Sequence, residues 1–417
     1  MRPFYGWTML AALWVIIVLN FGFTAYAPAV INAAMARSLG LSHETLGNMF
    51  AVYMLMSGLP GPLVAFSIDR LGSRGTLVLG SAVILCGSVL MATLVSGATG
   101  AFLCFGVLVG AGNITGSLLP AQSALVRWFI RRRSLALAVL YSGGAVGGFI
   151  AAPLVNHLIQ ASGTWRAGWW VIAAASSVAG SLALILVRGN PQEENAVTSG
   201  FNPSSRESRA IADLRPSFVS RREWTYRQAV MRPTYWLMLC AFLGASGGNT
   251  VFLAHGVAYL QELGHSAAFA AWSVGTMTAG GLAGKGLLAT LGERLDPRFL
   301  LAGFLMAYGI GLTLICTADA AWQALLSAAC LGIGFGGGFV CLMTVVSNYY
   351  GTAAFPALAG TMTAIPTAFS AAVSSVAGRL ADIGAGYAVT FYALASWCVA
   401  GAVILLLIRP PALEEVA

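Results

Sequence analysis

Apolar runs long enough to cross a bilayer follow one another along the chain. They lie near 7–31, 46–67, 76–96, 101–124, 135–159 and 166–187, then near 235–257, 266–289, 299–317, 322–346, 356–377 and 387–408. Short polar turns separate the runs within each set of six. Between the sets, residues 188–234 are too polar to span, and an Asn-Pro-Ser-Ser-Arg stretch with interleaved acids and arginines reads as a flexible linker. The pattern predicts an all-α membrane protein of twelve transmembrane helices. Its expected domains are a six-helix bundle over 1–187, a cytoplasmic linker over 188–234 and a second bundle over 235–417.

The two sets repeat each other. Gly61-Pro-Leu-Val-Ala-Phe-Ser-Ile-Asp69-Arg70 closes the second span, and Lys285-Gly-Leu-Leu-Ala-Thr-Leu-Gly-Glu293-Arg294 closes the eighth. In that register Lys285 stands where the first half has Gly61. Pseudo-symmetric six-helix bundles are the usual architecture of alternating access, with a site at the midplane between them.

Composition agrees with the pattern. Hydrophobic residues make up 58% of 417 and charged residues 9%, where a soluble domain carries about 25% charge. With both termini cytoplasmic, only Arg37, Arg166 and Arg379 among the basic residues lie outside, and Lys285 lies within the membrane. The opposite topology would invert that ratio, so the positive-inside rule sets the orientation. The net charge of +8 is then topogenic, and no nucleic-acid partner is expected. The first apolar stretch is too long for a signal-peptide core and is kept as a span. The seven cysteines fall in apolar segments without metal-ligand spacing and read as small packing residues. No cofactor is expected.

Lys285 is the only lysine, and it sits about 12 Å inside the predicted membrane boundary. A bare cation at that depth costs about 2.5–3.5 kcal/mol on insertion scales. All 14 acidic residues fall in loops, tails or span ends, so the simplest counter-ion is the substrate, a small organic anion. The plainer alternative is a lysine that snorkels to the interface.

Other polar groups within the spans form the rest of the expected site. His255 in the seventh span is either an interfacial or core hydrogen-bonder or a substrate or proton ligand. Asn113 in the fourth span must face another helix or the cavity. Tyr26 and Tyr141 are hydroxyl donors for a carboxylate, or simply packed. Asn20 and Asn249 fit helix-to-helix bonding equally well. His43, His157 and His265 fall at span ends or in loops, with no direct transport role expected. Asp69, Arg70 and Arg74, with Glu293 and Arg294, are read as a cytoplasmic gate whose pairing changes between states. Arg131, Arg132 and Arg133 read as topogenic and lipid-headgroup contacts. Gly143-Gly144 and Gly147-Gly148 follow no strand, so they serve close helix packing and not a nucleotide.

Asp69-Arg70-Leu-Gly72-Ser-Arg74 is similar to the helix 2–3 loop motif of the major facilitator superfamily, and the chain resembles that family over its whole length. Four further features resemble its bacterial monocarboxylate porter and oxalate–formate exchanger branch. They are Phe4-Tyr5-Gly6-Trp7, Arg127-Trp128-Phe129-Ile130-Arg131-Arg132-Arg133, His255-Gly-Val-Ala-Tyr259-Leu and the basic residue of the eighth span. The resemblance implies that Lys285 binds a carboxylate with His255 beside it. Lysine replaces the commoner arginine, offering a point charge in place of a fork. The second basic residue of the oxalate exchangers is missing from 356–377, which favours a monocarboxylate of the lactate or pyruvate kind.

The expected protein is therefore a secondary transporter and not an enzyme. It would act as a monomer in a bacterial cytoplasmic membrane, with symport and antiport both open and proton coupling unassigned. The alternative is an exporter of drugs or other small molecules in the same superfamily.

Overall fold

The computed structural model describes residues 5–129, 133–188, 224–292, 295–351 and 354–408. Its spans are α1 (Tyr5–Leu39), α2 (43–71), α3 (73–93), α4 (98–128), α5 (Arg133–Ser162) and α6 (Arg166–Leu186). They continue as α7 (Pro233–Glu262), α8 (Ala267–Leu291), α9 (Pro297–Cys316), α10 (Ala321–Tyr350), α11 (Phe355–Asp382) and α12 (Gly386–Leu407). No strand occurs among the described residues. Most of the linker lies outside them, but its described end carries a short helix, Tyr226–Val230, with a Thr225–Gln228 capping box. The Trp224 amide donates to the Tyr350 carbonyl at 3.2 Å, which ties this end to α10.

Ten helical segments qualify as spans on length and composition alone. The count reaches twelve for two reasons. The end of α2 and all of α3 run on as one segment, Gly61–Thr93, divided at Gly72, whose φ of 69° turns the chain where a side chain would be strained, while the first part of α2, His43–Gly58, is too short to count alone. The other is α8, whose apolar character is diluted by five glycines, three threonines and Lys285. α2 also breaks at Leu59–Pro60, ahead of Pro62.

Odd-numbered helices begin on one face of the bundle, here the terminal face, and even-numbered helices begin on the opposite face. The repeat is visible in the backbone. α1 widens into a π turn at Val18–Gly22, and α7 does so at Phe252–Gly256. Such turns mark inserted strain in a helix and often lie at functional sites. α5 and α11 each carry an interior proline, Pro153 and Pro366.

Small residues let the first six helices approach the last six along two seams, α2 on α11 and α5 on α8. A Cβ on Gly47 would stand 2.3 Å from the Ser374 oxygen, and one on Gly378 would stand 2.2 Å from the His43 oxygen. In the other seam a Cβ on Gly148 would meet Tyr26 at 2.6 Å and Thr278 at 2.7 Å. Nearer the terminal face the first seam parts. A Cβ on Gly58 still meets Thr367 at 2.9 Å, whereas Gly61 and Gly360 have nothing within 4 Å. The seam is thus shut toward the opposite face and open toward the terminal face.

Candidate functional site

Lys285 owes its position to a run of glycines. Gly280, Gly281 and Gly284 press α8 onto α10, where a Cβ on Gly332 would lie 1.9 Å from the Met277 oxygen. At about 100° per residue, Lys285 lies between two directions on α8. Thr278, about 20° away, faces α5, and Gly281, about 40° away on the other side, faces α10. Lys285 therefore faces the space between the two halves, about 10 Å from the helix end at Leu291. It is half-buried and has no hydrogen bond or ion pair among the described residues.

A cavity of about 140 Å³ opens in the second half. One wall is aromatic, formed by Phe242 of α7 with Phe335 and Phe339 of α10. The Phe335 ring stacks on Phe242 at 6.0 Å and 26°, and on Phe339 at 6.4 Å and 23°. The facing wall is polar, built from Ser246, Asn249 and Thr250 of α7 with Thr363, Thr367 and Ser370 of α11. Spacings of three and four residues put the α11 groups on one helical face. Met54 of α2 reaches the cavity from the first half. Lys285 is not part of this lining. α8 and α10 run parallel, and Gly281 lies against Gly332 and Gly336. One turn further on, Lys285 shares the layer of Phe339.

His255 sits in the π turn of α7 and is fully buried. Its Nε2 lies 3.1 Å from the Ser374 oxygen and its Nδ1 lies 3.2 Å from the Tyr387 hydroxyl. The same hydroxyl is 2.5 Å from His43 Nδ1, and His43 Nε2 is 3.8 Å from Glu262. Beside this chain, Asp382 at the end of α11 accepts from the amides of His43 and Glu44, at 3.0 and 2.8 Å. A carboxylate of the second half thus caps the helix that opens α2 in the first, with the dipole in its favour. His255 belongs to this closure on the opposite face, and it is not among the residues lining the cavity. His43 and Tyr387 are drawn in by topology, since α2, α7, α11 and α12 meet only in the folded bundle.

The first-half residues each have their own partners. Asn113 Nδ2 donates to the Tyr53 hydroxyl at 2.8 Å, while Ser117 Oγ donates to the carbonyl oxygen of Asn113. Tyr26 is partly buried, touches Phe21 edge-on and lies, like Thr278, against Gly148. Tyr141 donates to Gln122 at 2.7 Å, within α5 and α4. Asn20 bonds Ser81 and the Gly116 oxygen, so it joins α1 to α3 and α4. Tyr53 is fully buried beside Asn113 and was not singled out by the sequence pattern.

Asp69, Arg70 and Arg74 are exposed on the terminal face. Arg70 lies 5.0 Å over the Phe66 ring. Glu293 and Arg294 lie outside the described residues, as do Arg131 and Arg132. On the second-half turn, Asp296 caps α9, pairs with Arg298 at 3.0 Å and accepts from Tyr349 at 3.3 Å.

Residues 12–371 match the family model described as Major Facilitator Superfamily. An MFS-type transporter of Gibberella moniliformis is 30% identical over 42% of this chain, which spans 39% of the fungal protein's length. Monocarboxylate transporter 13 of Rattus norvegicus is 23% identical over 83% of this chain and 75% of its own. The crystal structure of the nucleoside transporter NupG superposes with a TM-score of 0.72 at 13% identity, covering 96% of this chain and 99% of that one. At that identity the likeness concerns the fold.

Proposed function

Because this chain belongs to the major facilitator superfamily, we propose that it is a secondary transporter for a small monocarboxylate anion of the lactate or pyruvate kind. Residues 1–187 and 235–417 would rock about a central site, with 188–234 as the linker. One observation carries the substrate reading. Lys285 faces the space between the halves without a protein counter-charge among the described residues. An uncompensated cation in a low-dielectric site is stabilised by the anion it binds. The similarity to the rat monocarboxylate transporter supports the same class.

Lys285 would hold the carboxylate, with Tyr26, Tyr141 and Asn113 as its first-half ligands. His255 contributes through the closure on the opposite face. Asp69, Arg70 and Arg74, with Glu293 and Arg294, act as the gate on the terminal face. The excess of arginine in the loops on that face supports its being cytoplasmic, with the protein a monomer in a bacterial inner membrane. Export of cationic drugs is disfavoured because the described acids, Glu44, Asp69, Glu262, Asp296, Asp319 and Asp382, all lie at helix ends or in loops.

The test is Lys285→Gln beside Lys285→Arg, purified and reconstituted. Carboxylate uptake and carboxylate-induced thermal stabilisation should vanish in the first and persist in the second. A ligand at about 100 times its Kd stabilises by about 2.7 kcal/mol, well within reach of a melting curve. A carboxylate response unchanged in Lys285→Gln would remove Lys285 as the anchor, and a response to cationic drugs alone would favour the exporter.

A further inference from the structure

We infer that the anion carried here has a flat, hydroxylated ring as its body, so that the preferred cargo is a hydroxyaryl monocarboxylate. The inference rests on the monocarboxylate reading above, keeps its carboxylate anchor, and replaces the lactate-sized body with a ring.

Size is the first argument. The cavity of about 140 Å³ is close to the roughly 150 Å³ of an apolar protein cavity that takes up one benzene molecule. A lactate-sized body would leave much of it to water and forgo contact with the aromatic wall. Shape is the second. Phe335 stacks with both Phe242 and Phe339, at interplanar angles of 26° and 23°. With Phe242 and Phe339 6.1 Å apart as well, the three rings make one aromatic wall against which a further ring can pack.

The polar wall supplies the third argument. Thr363 donates its proton to the Ala359 oxygen at 2.8 Å, Thr367 to the Thr363 oxygen at 2.8 Å and Thr250 to the Ser246 oxygen at 3.4 Å. Ser246 and Ser370 bond each other at 2.8 Å. The threonine hydroxyls, their protons engaged by the helix backbone, offer lone pairs to the cavity. Such a wall calls for a ligand that brings a donor, as a phenolic hydroxyl does. Lys285 shares the layer of Phe339, so the carboxylate of such a ligand lies toward α8 and the ring toward α7 and α11.

The experiment measures binding of L-lactate, benzoate, 4-hydroxybenzoate and 4-hydroxybenzyl alcohol to the full-length detergent-purified protein and to its Thr367→Val, Phe335→Ala and Lys285→Gln variants. The native protein should prefer 4-hydroxybenzoate to benzoate by about ten-fold, and benzoate to lactate by a similar factor. Thr367→Val should narrow the first ratio, and Phe335→Ala should narrow the second. Each ratio is taken within one protein, so loss of folded material does not mimic either result. Lactate binding as tightly as 4-hydroxybenzoate, with loss of both in Lys285→Gln, would overturn the ring inference and leave the monocarboxylate reading standing. Equal binding of 4-hydroxybenzyl alcohol, insensitive to Lys285→Gln, would overturn the monocarboxylate reading itself.

Discussion

The Tyr53 hydroxyl sits fully buried between α2 and α4, where it accepts from Asn113. Removing one partner of a buried pair costs more than the pair contributes, because the other is left unsatisfied. Tyr53→Phe should therefore lower the unfolding free energy by about 1–2 kcal/mol, seen as an earlier melting transition in detergent. An unchanged transition would mean that Asn113 finds another acceptor. Lys285 stood out in the sequence because charge is costly in an apolar run, and Asn113 stood out for the same reason. Their surroundings did not. Asn113 finds its partner 60 residues away, and a tyrosine in an apolar helix carries no mark of what its hydroxyl meets. Tyr387 was hidden in the same way, since its bonds to His43 and His255 join three separate helices.

At the scale of helices, the seam of α2 on α11 is fastened at one end by Asp382 and released at the other beyond Gly58. Asp382 is exposed, so the cap contributes about 1 kcal/mol to the closed seam. Asp382→Ala should raise the share of molecules open on the opposite face about five-fold. That shift is readable as faster alkylation of a cysteine placed at buried Ser374 in a background without native cysteines. No change in alkylation rate would assign the closure to the glycine contacts alone. The apolar runs revealed the helices because lipid demands them, but the ends came out short. α1 continues to Leu39 and stops at Gly40 in the left-handed conformation. The paired π turns were not legible, since Val18–Gly22 and Phe252–Gly256 share only a leucine and a glycine in register. The break at Leu59–Pro60 lay inside one apolar run, and only the folded chain distinguishes a kink there from a continuous helix.

For the whole molecule, the helices meet along two seams, closed on the opposite face, around a space that Lys285 faces among the described residues. With Lys285 as the proposed anchor, the empty transporter is the charged form and the loaded one is neutral. A transmembrane potential acts at about 2.3 kcal/mol per elementary charge per 100 mV across the full field, and on some fraction of that at this depth. On the proposed orientation, voltage then bears on the return of the empty site and leaves the loaded crossing nearly untouched. Exchange of one anion for another across proteoliposomes should be indifferent to a potassium-diffusion potential, while net flux should respond to it. Equal voltage sensitivity of both would place the moving charge elsewhere than Lys285. An inside-negative membrane would hold the vacant carrier facing the cytoplasm, so the cell's electrical state, and not only the anion gradient, would set how often an outward-facing site is offered.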